Sequence, residues 1–369
     1  MNKANIYFFI GTTAELIKIA PVIRELKKRK VKYKIISSSQ NELHFEELKH
    51  ILGKEAPHYI FKMKSFKWPK DIYLRFLVWI IKSIGNFFIY FRQEFKGRKK
   101  EILFVVHGDT LTAVVGAIVA KLCRVKLVHI ESGLRSFNFL EPFPEELSRF
   151  VVSWLADVHF SPGKWSIGNL VNHKGKKINT YSNTAGESIA LTIKISKLKK
   201  LSGSRSKKKY FILVLHRQEH TLFNKIKTRR IINFITGFAK QDFRCVFIMH
   251  KLTRDYLKKE GMLSGLKKNK NLILPDRLQQ PSYVKLIMDC EFIATDGGGN
   301  QEDAYFLGKP CLILRNRTER IEGLGENAVL SKNDFDRIEE FIQDYKSHKR
   351  KRPKMKIQPS KIIVDYLLK

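Results

Sequence analysis

Acidic residues are scarce in this chain: 35 Asp and Glu stand against 70 Lys and Arg, a formal charge of +35 over 369 residues. That excess is more than solubility requires and predicts an anionic neighbour, whether a membrane surface, a nucleotide-sugar substrate or nucleic acid. The bland alternative is a set of solvated lysine-rich loops at 96–100, 194–209 and 346–356. No zinc-finger, RNP or helix-turn-helix pattern is present, which argues against nucleic acid. Cysteine is sparse too. Cys123, Cys245, Cys290 and Cys311 stand singly in apolar surroundings, without CxxC spacing or a matching Cys/His set, and are expected to be buried, reduced and inert. The first apolar run, residues 6–10, is too short for a secretory leader and predicts a cytosolic protein.

A long uninterrupted apolar run is also missing. Residues 68–91 are rich in Phe, Ile, Trp and Tyr, but Arg75, Lys82 and the Gly85-Asn86 pair break them up, which argues against a membrane span. Two readings stay open. A helix can lie at an anionic membrane surface through the segment from Trp68 to Lys100, its basic flanks on headgroups. Alternatively it packs on a sheet or on a second subunit.

What is present is strand and helix in alternation. Strands are expected at 5–10, 33–37, 102–106, 126–130 and 157–161, with helices over 16–26, 41–52, 110–122 and 145–155. The segment 196–209 is polar, basic and Gly/Ser-bearing and reads as a linker. The pattern then starts again, with strands at 210–215, 245–249, 271–274, 291–295 and 311–314 and helices at 226–239, 283–288 and 360–368. The expected fold is α/β: two Rossmann-like, doubly wound domains with a cleft between them. They would occupy 1–195 and 210–350, with a basic tail and terminal helix at 351–369.

The chemistry concentrates where strands end. Asp109, Glu131 and the Glu145/Glu146 pair each follow a strand-like segment or a Pro-containing turn, a position from which a carboxylate can leave the sheet. Gly11 and Thr12 form a turn before the first helix, where a parallel fold can hold an anion, and Lys18 lies on that helix. Gly297, Gly298 and Gly299 open a later helix and could receive a diphosphate on their N–H groups, with Glu302 or Asp303, in its first turn, accepting from ribose hydroxyls. His216 and Arg217 end the first strand of the second half. Arg315 and Arg320 follow another strand and add cations to the same side.

Eight segments in order carry a resemblance: GTTAELIKIAP, HGDT, HIESGLRS, PFPEELSR, SNTAGESI, LHRQE, DGGGNQEDAYFLGKP and RTERIEG. Together they resemble the non-hydrolysing UDP-N-acetylglucosamine 2-epimerases from Asn5 to about Val329. The resemblance implies a glycosyltransferase-B-like fold and an isomerase that converts UDP-GlcNAc to UDP-ManNAc for surface polysaccharide synthesis. It implies elimination of UDP with loss of the C2 proton, then re-addition with protonation on the other face, without metal or nicotinamide. By matching motif, Asp109, Glu131 and Glu145 would be the acid/base groups, and Arg149, His216 and Lys18 would steady the diphosphate. A homodimer is implied as well.

The chain departs from the family pattern in places. Thr13 and Ala14 replace the Arg and Pro of GTRPE, and Gln40-Asn41-Glu42 stands where Gln-His-Arg is usual for holding a second, activating UDP-GlcNAc. Gly297 replaces the serine of DSGG, ERPE becomes ERIE at 319–322, and the ribose acid aligns with the shorter Asp303. These departures and the basic, aromatic segment from Trp68 support a second reading, a membrane-associated glycosyltransferase passing a sugar from a UDP donor to a lipid-linked acceptor.

Overall fold

The structure, a computed structural model, describes residues 5–61, 72–97, 99–197, 208–215, 217, 225–276 and 278–369. They form two compact units. One comprises Met1–Arg135, Pro144–Ser188 and Lys356–Lys369, and the other Ser136–Phe143 and Ile189–Met355.

The first unit runs β1 (Ile6–Ile10), α1 (Thr13–Lys28), β2 (Tyr33–Ser37), α2 (Lys49–Leu52), β3 (Tyr59–Ile60), α3 (Ile72–Glu94), β4 (Leu103–His107), α4 (Leu111–Leu122), β5 (Lys126–Ile130), α5 (Glu145–Leu155), β6 (Val158–Ser161), α6 (Lys164–Gly168), β7 (Lys176–Asn179) and the start of α7 (Thr184–Ile195). Its seven strands are parallel in the order β3-β2-β1-β4-β5-β6-β7. Strand residues of both parities are buried, because helices cover both faces.

Helix α3 forms where the aromatic segment was expected to be helical; residues 62–71, including Trp68, lie outside the described residues. Trp79, Ser83, Phe87 and Phe91 recur every fourth residue and are buried in the core with Tyr7, Phe9 and Phe104. The Phe87 and Phe91 rings lie 4.0 Å apart. Each of these two phenyl side chains contributes roughly 1.5–3 kcal/mol by leaving water. The packed-helix reading therefore describes this face of α3. Among the described residues no helix is long and apolar enough to cross a membrane.

The expected helix over 41–52 is shorter than that. Asn41 N–H donates to Gly11 O at 2.9 Å and His44 N–H to the Thr13 hydroxyl at 3.2 Å, which holds the chain in a loop until a 3₁₀ turn begins at Phe45.

The second unit contains β8 (Lys209–Leu215), α8 (Lys225–Gly237), β9 (Phe243–Met249), α9 (Lys251–Lys259), α10 (Met262–Lys268), β10 (Leu272–Ile273), α11 (Gln280–Asp289), β11 (Ile293–Thr295), α12 (Gly298–Leu307), β12 (Cys311–Ile313), β13 (Ala328–Leu330) and α13 (Phe335–Asp344). Its sheet is parallel, in the order β10-β9-β8-β11-β12-β13. Along β8, Phe211, Leu213 and Leu215 enter one apolar core and Ile212 and Val214 the other, so two cores sandwich the sheet. This is the doubly wound α/β architecture expected of each half.

The last helix, α14 (Pro359–Leu367), belongs to the first unit. Arg29 pairs with Asp365 at 2.5 Å, and Glu187 accepts from the Ser360 N–H at 2.8 Å and from its hydroxyl at 2.9 Å. Cys245, Cys290 and Cys311 are buried and Cys123 half-buried; all four are free thiols.

Candidate active site

In a doubly wound sheet, ligands bind beyond the carboxyl ends of the strands where strand order reverses. In the first unit that point lies between β1 and β4, and in the second between β8 and β11. The motif residues fall on the turns that follow these strands. Gly11 and Thr12 follow β1, Gly108 to Thr110 follow β4, Arg217 follows β8, and Asp296 to Gly299 follow β11.

In the first unit Asp109, Glu131 and Glu146 each pair with a cation. Lys18, one turn into α1, reaches Glu131 Oε2 at 2.6 Å, and Asn183 donates its amide to the same oxygen. Glu131 itself sits at φ 66°, a left-handed setting that turns its side chain out of line with β5. Asp109 pairs with Arg149 of α5, which also donates to Glu146 Oε2 at 3.1 Å. Arg135 holds the other oxygen of Glu146 at 2.5 Å. Charge pattern alone gives Glu145 and Glu146 as one pair, of which the family resemblance singles out Glu145, and the structure separates them. Glu146 is fully buried and orients Arg149, whereas Glu145 is partly exposed at the start of α5.

Two buried titratable groups brace this arrangement. Glu15 accepts from Gly11 N–H at 3.0 Å, from the Thr12 hydroxyl at 2.9 Å and from the Thr110 hydroxyl at 2.8 Å. Burial nevertheless dominates and raises its carboxyl to about 7. His129, buried in β5, donates from Nε2 to Gly108 O at 2.9 Å, and desolvation lowers its pKa to about 3, so it is neutral.

Gly133 shows how tightly the HIESG turn is made. Its φ is +86°, and a Cβ there would overlap the Ser166 carbonyl oxygen. Gly133→Ala is accordingly expected to cost about 2 kcal/mol or more, read as a lower midpoint in chemical denaturation at unchanged slope.

In the second unit Asp296 Oδ2 accepts from Arg217 N–H at 2.9 Å, which joins the turns after β8 and β11. Gly297 is the N-cap of α12, with its N–H on the Thr295 hydroxyl at 3.0 Å, and a Cβ on Gly299 would meet open space. Beside Gly298 stands Glu319, held by Arg315 at 2.9 Å and by Arg217 at 3.4 Å. Arg320 pairs with Glu302 at 2.9 Å. Because α12 starts at Gly298, Glu302 and Asp303 lie in its second turn, which corrects the first-turn placement expected from the sequence. Glu302 is fully buried against Arg320, while Asp303 is partly exposed. His216 lies outside the described residues.

The family model described as UDP-N-acetylglucosamine 2-epimerase matches residues 70–361. The chain belongs to that family. The UDP-N-acetylglucosamine 2-epimerase of Methanococcus maripaludis is 30% identical over 343 residues, covering 89% of this chain and 88% of the relative. Among solved structures, the Methanocaldococcus jannaschii UDP-GlcNAc 2-epimerase in complex with UDP-GlcNAc and UDP superposes with a TM-score of 0.82 at 25% identity, covering 98% of this chain and 99% of that one. The Neisseria meningitidis enzyme bound to UDP-GlcNAc gives 0.79 at 27% identity over both full chains. These neighbours bear out the glycosyltransferase-B-like fold and favour the epimerase reading over the transferase.

Within the family frame, the structure adds residues to which the sequence reading gave no role. Asn183 lies in a quoted motif, SNTAGESI, but an uncharged amide carries no charge or periodic signal of its own. Gln301 Nε2 donates to the Arg320 and Glu322 carbonyls at 3.2 and 2.9 Å while its Oε1 accepts from the Thr318 hydroxyl at 2.8 Å, so it fixes the loop that carries Arg320.

Proposed function

We propose that this chain epimerises UDP-GlcNAc at C2 of the sugar, giving UDP-ManNAc. The observation that carries the reading is the pair of carboxylates at the ends of neighbouring strands, Asp109 after β4 and Glu131 after β5, each held by its own cation. A sugar C–H is weakly acidic, so its removal needs a positioned base, and inversion needs a proton donor on the opposite face. In the proposed reaction one carboxylate takes the C2 proton as the C1–O bond to UDP breaks, leaving a C1=C2 double bond in 2-acetamidoglucal. The diphosphate oxygen then returns to C1 while C2 is protonated on its other face, so no atom is gained or lost. Asp109, Glu131 and Glu145 supply the acid/base groups. Arg149 and Lys18 orient two of them and, with His216, stabilise the charge that develops on the leaving diphosphate.

The nucleotide is assigned to the second unit. Gly297, Gly298 and Gly299 begin a ten-residue helix, whose N-terminal amides and dipole suit a diphosphate. Arg217, Arg315 and Arg320 bring guanidinium groups to the same turn, and Asp303 is assigned to the ribose; Gly11 and Thr12 are assigned to the diphosphate by their motif. Purified protein incubated with UDP-GlcNAc in deuterated water tests this: UDP-ManNAc bearing deuterium at C2 supports it, and UDP-GlcNAc recovered unexchanged removes it.

The same reading includes a cytosolic homodimer that touches anionic membrane peripherally. Helix α3 leaves Ile81 60% and Phe88 41% exposed on the face away from the core, and Lys96, Lys99 and Lys100 are exposed just beyond it. Sedimentation with liposomes is expected to depend on anionic lipid and to weaken as salt rises; no pelleting at low salt would eliminate the membrane contact.

A further inference from the structure

We propose that Glu15 is a positioning residue for Asp109, its carboxylate tying the turn after β1 to the turn after β4. This rests on the epimerase reading for its consequence and on geometry for its premise.

Thr12 and Thr110 are the N-caps of α1 and α4. Their hydroxyl oxygens accept from the Glu15 N–H at 3.2 Å and the Ala113 N–H at 3.1 Å, so each hydroxyl proton is left to point elsewhere. Both protons go to one carboxylate, Thr12 to Oε2 at 2.9 Å and Thr110 to Oε1 at 2.8 Å, with Gly11 N–H on Oε2 at 3.0 Å. Thr12 and Glu15 alone would make an ordinary capping box, which sits at a helix end and gives no reason for full burial. The bond to Thr110 spans 95 residues of sequence and joins two strands at the reversal of the sheet.

The consequence falls on Asp109, immediately before Thr110. With Thr110 held by Glu15, and Gly108 held by its N–H on Ile130 O at 2.9 Å and its carbonyl on His129, the backbone on both sides of Asp109 is fixed. From that one setting its side chain meets Arg149. A carboxylate that must reach a sugar proton tolerates little displacement, since misplacing a reacting group by about 1 Å can cost about 10²-fold in rate.

The test is a double-mutant cycle on C2 deuterium exchange. Glu15→Gln replaces one accepting oxygen with an amide that cannot accept, and Thr110→Val removes the hydroxyl. Each is expected to lower kcat about 10-fold or more while KM for UDP-GlcNAc stays within about twofold. The double variant is expected to fall no further than the worse single, because both remove one bond, and Thr110→Ser is expected to recover the rate. In hydrogen exchange, the amides of 108–113 should lose protection in both single variants. Unchanged kcat in both, or losses that multiply in the double, would overturn the proposal. If Glu15→Gln does not fold, the Thr110→Val and Thr110→Ser pair decides on the same readouts. An inactive wild type would refute the epimerase reading instead, and the protection of 108–113 would still decide what Glu15 holds.

Discussion

Asp109→Asn and Glu131→Gln are each expected to reduce C2 proton exchange by about 10²–10⁴-fold, the range a positioned acid or base supplies, while UDP affinity changes little. Both substitutions keep the shape of the side chain and remove its ability to take a proton. The two sites do not fail in the same way. Glu131 receives Lys18 and Asn183 on one oxygen, and a Gln amide presented there would face two donors. Asp109 faces Arg149, and its loss leaves that guanidinium with Glu146 alone among the carboxylates it is seen to pair with. Calorimetric titration with UDP separates the roles, since the nucleotide is assigned to the other unit. Exchange retained in both variants would remove these carboxylates from proton transfer.

Gly298→Ala is expected to weaken UDP binding by about 10- to 100-fold, the equivalent of roughly 1.4–2.8 kcal/mol. A Cβ on Gly298 would overlap Glu319 Oε1 and press on Arg320 Nε at 3.2 Å. An exposed glutamate would swing aside. Glu319 is buried and held by Arg315 and Arg217, so moving it moves both cations, and overpacking of this kind ordinarily costs about 1–3 kcal/mol. Gly299→Ala is the control, because its Cβ would enter open space and leave the ion pairs in place. Equal losses in the two variants would mean that the turn binds through its flexibility and not through the packing at Gly298.

Residues with a periodic or charged signature could be read directly from the sequence. The bounds of β2, β5 and α5 agree with their expected ranges, because short apolar runs and the Pro144 start with two acids leave little choice. The loop at 41–44 could not be read, since its backbone is held by Gly11 and Thr13, some thirty residues away. At the site, Asp109, Glu131 and Arg149 stand out as charges at strand ends and a helix. Their partners do not. Which member of the Glu145/Glu146 pair orients Arg149 depends on the rotation of α5, and a buried Glu15 that joins two strands has the same sequence pattern as a surface capping box. That Glu302 pairs with Arg320 likewise depends on the loop at 315–320 folding back on the helix, which the sequence pattern does not show.

The central claim is that the C1–O bond opens and the same diphosphate returns after C2 has exchanged its proton. Positional isotope exchange measures this, using UDP-GlcNAc labelled with heavy oxygen in the sugar–phosphate bridge and incubated in deuterated water. The account predicts that molecules carrying deuterium at C2 also show the label scrambled into non-bridging positions of the β-phosphate. Deuterium at C2 with the label still wholly in the bridge would contradict it.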